Sequence, residues 1–239
     1  MTQAISPGTN ASQTLSYNFK LLSHHTLDGF GGVDEGMGMQ KTKDGRRIMW
    51  LGHEAAPKNF TGADVTDPKH PKVVTRYNYS PPMNGFTHTA MPLFSRDLLI
   101  VTDECVQDDG KDWPKLTWVV NMADETNLVP ISTLPLPPAA VFTKRGGRFG
   151  SHNLYENYPL DVAWRSDNII LATFFNGGLR VYDLANPYQP QEVAYFVPGA
   201  PALSPKGSVQ INDVYVDDRN LVYTVDRFSG GLYILEMNL

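Results

Sequence analysis

The sequence predicts an all-β protein, a β-propeller of four-stranded antiparallel blades, and three observations carry that prediction. The first is the stretch Asn168 to Pro198, in which three runs rich in β-branched, aromatic and aliphatic residues are separated by Asn176-Gly177-Gly178 and by Asn186-Pro187-Tyr188-Gln189-Pro190. Asn-Gly tolerates the positive φ of a hairpin turn, and proline cannot sit inside a central ladder, so the stretch reads as a meander of three strands. The second is its recurrence. Ile169 to Phe175 aligns without gaps on Ile48 to Glu54, Leu98 to Glu104 and Leu221 to Arg227, and Gly178 to Leu184 aligns on Gly231 to Met237. The third is a polar column, Asp64, Asn121, Asp183 and Glu236, whose members lie 57, 62 and 53 residues apart. Repeats of that length belong to propellers and arrays.

Taken in order, Met1 to Ser16 is a polar lead (1–16), and the propeller occupies residues 17–239 as one domain. Short runs upstream of each unit, Gly36 to Gln40, Thr87 to Leu93, Ser151 to Tyr155 and Asn212 to Val216, are expected to form the innermost strands. Asp64-Val-Thr-Asp-Pro-Lys-His-Pro and Asp183-Leu-Ala-Asn-Pro-Tyr-Gln-Pro share one turn chemistry, an Asx residue followed by prolines. The last unit stops after its third strand, while Tyr17 to His24 is a strand-like run without a unit. The expectation is that this N-terminal strand completes the last blade and closes the ring, which removes exposed sheet edges.

Composition sets limits on function. Twenty Lys and Arg stand against 25 Asp and Glu, net −5, with no basic run, so nucleic acid is not an expected partner. No segment approaches the roughly 18 apolar residues of a membrane helix, and the N-terminus lacks a basic end and an apolar core, which predicts a cytoplasmic protein. Cys105 is the single cysteine and excludes an intrachain disulfide.

Chemistry is sought where inner strands converge on the axis. Reading the entry position across the copies gives His88 in Phe-Thr-His-Thr-Ala, His152 in Gly-Ser-His-Asn and Asp213 in Ile-Asn-Asp-Val, with Asp34 and Glu35 in the first copy. The ends of the second strands bring His53-Glu54, Asp103-Glu104 and Asp226-Arg227 to the same face. Two imidazoles with one or two carboxylates suit a divalent transition metal, with Fe, Mn, Zn and Cu not distinguished, and the expected ligands are His88, Glu104, His152 and Asp213. Asp103 is the alternative to Glu104 at the channel. His24, His25 and His70 are expected on the surface, and His53 either at the channel or in a packing role. Gly29-Phe-Gly-Gly lacks the strand-to-helix context of a phosphate loop. Cys105 follows two carboxylates, which raise a thiol pKa and argue against a nucleophile.

The phrases LLIVTDE, GGLRVYDLANPYQPQEV and GGLYILE, with THT, GSHN and NDV, resemble the LVIVD-repeat proteins over nearly all of residues 20–239. The resemblance implies a β-propeller and implies little about activity. A distant likeness to selenium-binding-type propellers implies only that metal chemistry at channel histidines is feasible in such an architecture. The functional expectation is a metal-binding propeller acting on a small oxygen-bearing substrate at the channel mouth, with hydrolase, isomerase and oxidase not separated and the oligomeric state open. The alternative is a binding or scaffold propeller that recognises a protein or glycan through the insertions Pro137 to Gly150 and Pro198 to Gly207.

Overall fold

The computed structural model describes residues 20–28, 37–53, 59–93 and 95–239. Four antiparallel sheets follow one another along the chain, and within each the strand order is the sequence order. The first contains β1 (Met37–Lys41), β2 (Arg47–Gly52), β3 (Phe60–Asp64) and β4 (Lys72–Tyr77), and the second contains β5 (Thr87–Leu93), β6 (Leu98–Asp103), β7 (Thr117–Asn121) and β8 (Val129–Thr133). After the short helix α1 (Ala139–Phe142) the third sheet contains β9 (Ile169–Thr173), β10 (Leu179–Asp183) and β11 (Gln191–Phe196). The fourth contains β12 (Ile211–Val216), β13 (Leu221–Asp226) and β14 (Leu232–Glu236). The repeats of the sequence are therefore blades.

Two sheets are four-stranded and two are three-stranded. In the third blade the expected inner strand, residues 151–155, meets β9 through a single bridge, Leu154 to Ala172. Backbone bonds from His152 N to Thr173 O and from Tyr155 N to Leu171 O still hold it in the inner position. In the fourth blade β14 has no outer partner among the described residues. Residues 20–28 form no strand. Instead Ser23 Oγ donates to Pro68 O in the β3–β4 turn, and Arg76 on β4 donates to Leu27 O. The segment thus lies against the first blade, and the expected closing strand is not seen; its first residues, 17–19, fall outside the described chain. Leu21 and Leu22 are adjacent and both exposed, a pattern that cannot place both side chains on one face of a strand.

Turn chemistry explains where strands end. Asp64, Asn121 and Asp183 each accept a bond from the backbone N–H two residues on, at 2.9, 2.8 and 2.7 Å. That is the Asx turn the polar column predicted. Gly178 ends the hairpin between β9 and β10 at φ +80°, where a Cβ would lie 2.2 Å from Phe196 O, so no other residue fits.

The core consists of three apolar clusters, each between two consecutive blades. Ile48, Trp50 and Phe60 of the first blade meet Ala90, Leu99 and Val101 of the second. Ile100 and Val119 of the second meet Ile170 and Tyr182 of the third. Leu171, Leu179 and Val181 of the third meet Val214, Val216 and Val222 of the fourth. Each blade uses one parity of strand residues to face its predecessor and the other to face its successor, which is why β6 is buried on both faces.

Candidate functional site

The inner strands do not simply run to the axis. In the second blade the pairing of β5 with β6 slips by one residue between Thr87 and Thr89, leaving His88 as an extra residue. In the fourth the pairing of β12 with β13 slips between Ile211 and Asp213, leaving Asn212. A bulge of this kind re-aims one side chain while the strand continues. His88 thereby reaches His152 of the third blade, with ring centroids 4.4 Å apart and 49° between the planes.

Glu104, immediately after β6, completes the group: one ligating atom each from His88, Glu104 and His152 lie within 4.8 Å of one another. His152 Nδ1 lies 2.8 Å from Asn212 O, and because a carbonyl only accepts, Nδ1 carries the hydrogen. Nε2 then presents its lone pair, and it stands 3.5 Å from Glu104 Oε1. A bound cation between these two acceptor atoms would be held by both. Ligand atoms around a tetrahedral divalent metal, with bonds of about 2.0–2.2 Å, lie roughly 3.3–3.6 Å apart, so the spacing also fits a metal. The Asn212 carbonyl is the outer hydrogen-bond partner that such a histidine commonly has. Asn212 Oδ1, buried and without a hydrogen-bond partner among the described residues, adds an acceptor on the bulge beside this group.

Charge around the group is finely opposed. Burial, together with His152 and the Arg227 cation, pulls His88 down to about 4 against the pull of Glu104, so its imidazole is neutral at ordinary pH. Burial pushes the Glu104 carboxyl up, but His152, His88 and Arg148 outweigh it and hold the group below its usual range. Arg148 Nη1 donates to Glu104 Oε1 at 2.8 Å and Arg227 Nη1 lies 4.0 Å from it. The Arg148 guanidinium also covers the ring of Phe175, which packs against His152 at 4.6 Å.

Of the four expected ligands, three are brought together and Asp213 is not. Asp213 is exposed, and its carboxylate accepts from the N–H of Val214 next to it. The bulge shifts the register by one, so the repeat position of His88 and His152 belongs to Asn212. Asp103, the alternative to Glu104, points the other way: it is fully buried and accepts from Tyr79 Oη and from Trp118 Nε1. Burial raises its carboxyl to about 6 despite these bonds. His53, at the same repeat position, is buried with Nε2 2.8 Å from Thr61 Oγ1, and Asp226 accepts the N–H groups of Gln210, Phe228, Ser229 and Gly230. That row is structural. Asp34, Glu35 and Glu54 lie outside the described residues.

Arg148 and the Asn212 carbonyl were not singled out from sequence, whereas Phe175 was expected as an aromatic wall beside the histidines. Arg227 and Phe175 align with Glu104 in the repeat, a usable signal, whereas Arg148 sits in an insertion with no counterpart. That insertion is pinned to the body: Asn176 Nδ2 donates to Phe142 O and Gly146 O, and Phe142 stacks on Phe149.

Cys105 takes no part. It is buried, its Sγ–H directed at Gln107 O and Asp112, and burial together with the Asp112 charge pushes the thiol up to about 12. Iodoacetamide at pH 8 is therefore expected to label the native chain at least ~100-fold more slowly than the denatured chain, read by intact mass.

Fold and site together define a β-propeller in which His88 and Glu104 of the second blade meet His152 of the third. No family model and no characterised protein sequence matches the chain. Solved structures do. The periplasmic gluconolactonase of Pseudomonas aeruginosa matches with TM-score 0.50 and 16% identity over 85% of this chain and 57% of its own. The β-propeller domain of Cps50 (Swd1) from Myceliophteria thermophila matches with TM-score 0.40 and 12% identity over 84% of this chain and 73% of its own. The computationally designed Ika4 protein matches with TM-score 0.46 and 11% identity over 87% and 94%. The chain thus spans a little over half the length of the gluconolactonase, and at these identities the likeness concerns the fold. Among the described residues no helix is long and apolar enough to cross a membrane.

Proposed function

We propose that the chain is a metal-binding β-propeller, allied to the LVIVD-repeat proteins, that acts on a small oxygen-bearing substrate at the channel mouth. The observation that carries this reading is the convergence of His88, Glu104 and His152 from two blades, with His152 Nε2 facing Glu104 Oε1 at 3.5 Å. His88 and His152 would supply neutral imidazole nitrogens and Glu104 a carboxylate oxygen, a donor set suited to Fe, Mn, Zn or Cu. Bound there, a divalent ion would supply Lewis acidity toward a substrate oxygen or a water.

The chain's own residues would do the rest. Arg148 and Arg227 hold positive charge on the same side as Glu104 and are partly exposed, so they can orient a substrate oxygen and balance negative charge as it develops. Phe175 and the His88 ring both pack on the His152 ring and fix its orientation. The pinned insertion that carries Arg148 fixes the guanidinium over Phe175.

The test is a titration of the metal-free chain with Mn²⁺ and Zn²⁺ by calorimetry, with Glu104→Gln beside it. One site per chain is expected, weakened at least ~10-fold by the substitution, which keeps the shape and removes the charge. Equal affinity in the two proteins would sink the reading. A scaffold role through the insertions is the second reading, and one observation favours it: Leu203 and Val141 present exposed apolar side chains at the insertion tips.

A further inference from the structure

We infer that the substrate of this site is a small organic carboxylate, held by Arg227 and by the open edge of Arg148. The inference rests on the reading of His88, Glu104 and His152 as a substrate site, and it names the class of substrate. The Arg148 side chain uses only Nη1 within the chain, donating to Glu104 Oε1 at 2.8 Å and to Cys105 O at 3.3 Å; its Nε and Nη2 bond nothing among the described residues. Arg227 makes no side-chain hydrogen bond among the described residues, and its Nη1 stands 4.0 Å from the same Glu104 oxygen, beyond hydrogen-bond length. A guanidinium is a planar fork of five N–H donors that matches the two oxygens of a carboxylate. Two such forks converge here on one oxygen with most of their donors unused.

One residue sets both backbones. Gln210, 1% exposed, accepts the Arg148 N–H through its side-chain Oε1 at 2.9 Å and the Arg227 N–H through its main-chain O at 2.8 Å. Its Nε2 donates to Ser208 Oγ and Val209 O, which fixes the amide in that orientation. Gly147 lies against the same amide at φ +70°, and a Cβ there would stand 2.5 Å from Gln210 Nε2 and displace it. The Arg148 guanidinium rests on the Phe175 ring, and Asp226 Oδ2 ties the turn after Arg227 by accepting from Phe228, Ser229 and Gly230. An arriving anion therefore meets donors whose backbones are already placed, which lowers the cost of ordering them on binding.

Charge points the same way. Asp226 is balanced by backbone N–H groups, Asp108 pairs with Lys206 at 2.5 Å, and Asp103 turns toward Tyr79 and Trp118. Among the described residues that leaves Glu104 as the carboxylate facing the two guanidinium groups. Two positive charges against one leave a net positive charge even when both imidazoles are neutral. A single excess charge and planar donors fit the single charge and coplanar oxygens of a monocarboxylate better than a tetrahedral phosphate.

The test is a titration of the chelator-treated, metal-free chain with pyruvate, a small monocarboxylate, to about 20 mM by saturation-transfer NMR, with inorganic phosphate as competitor. Arg227→Gln and Arg227→Lys are run beside it. The Arg227 side chain is partly exposed, so both variants should keep the wild-type circular dichroism. Pyruvate is expected to bind the unaltered chain, at least ~10-fold more weakly to Arg227→Gln, and with intermediate strength to Arg227→Lys, which keeps the charge and loses the fork. No binding of pyruvate, equal binding by the unaltered chain and Arg227→Gln, or displacement of pyruvate by equimolar phosphate overturns the inference. Mn²⁺ is titrated separately: a chain that binds Mn²⁺ and not pyruvate keeps the metal reading and sinks this one, and a chain that binds pyruvate through Arg227 and not Mn²⁺ does the reverse.

Discussion

Chain carrying both His88→Ala and His152→Ala is expected to retain no stoichiometric divalent metal after dialysis, where the unaltered chain retains close to one ion. The two substitutions remove both imidazole donors and leave Glu104 to Arg148 and Arg227, which are already close enough to neutralise it. Loss of an outer partner of a metal ligand commonly costs ~10–100-fold in affinity, so loss of two ligands should exceed that by a wide margin. His70→Ala is the control. His70 is exposed in the β3–β4 turn, with Nδ1 2.7 Å from Asp67, and its loss should change nothing. Elemental analysis of the three proteins decides the matter: metal content in the double variant equal to that of the unaltered chain would refute the site, and a fall in the His70 variant would point to surface binding.

Trp50→Ala is expected to produce the largest single loss of stability. Trp50 is fully buried between the first and second blades, packs edge-on against Phe60 at 6.4 Å, and donates its indole N–H to Gln40 Oε1. Truncation removes the burial of the ring, leaves a cavity in a core that also contains Leu99 and Val101, and strands the Gln40 acceptor. Buried tryptophan or phenylalanine to alanine costs about 3–5 kcal/mol. At this chain length each kcal/mol lowers Tm by roughly 2–4 °C, so a fall of about 10 °C is expected in a thermal melt. Tyr188→Ala, on an exposed turn, should stay within about 0.5 kcal/mol of wild type. A Trp50→Ala melt that matched Tyr188→Ala would mean that the first blade does not fold cooperatively with the second.

Most of the architecture was legible in the sequence because the repeat encodes it locally. Each second strand announces itself by its apolar run, and the Asx residue that ends each third strand bonds its own backbone, so the turns at Asp64, Asn121 and Asp183 need no tertiary context. His88, Glu104 and His152 were legible for the same reason, since equivalent positions of neighbouring blades must converge. Asp213 was misplaced by one residue because a bulge leaves no mark that a gap-free alignment can read. Residues 151–155 read as a strand but form only one bridge, because no residue pattern distinguishes a full ladder from an irregular one. Arg148 depends on where an insertion folds back, a question of packing between distant segments. The closing strand was inferred from a vacancy in the count, and residues 20–28 lie instead against the first blade, held by Ser23 and by Arg76.

The slipped residue at the start of β5 and of β12 has a bearing on how such a molecule can change. A slip alters which side chain looks down the axis while the hydrogen-bonded frame and the apolar parity of the rest of the strand continue undisturbed. The second and fourth blades each therefore offer one socket that can be refitted independently of its neighbours: a histidine in the second, and in the fourth an asparagine whose carbonyl steers the histidine of the third. In such an array of blades, new chemistry comes by exchanging the occupant of a single socket, with the surrounding masonry left in place.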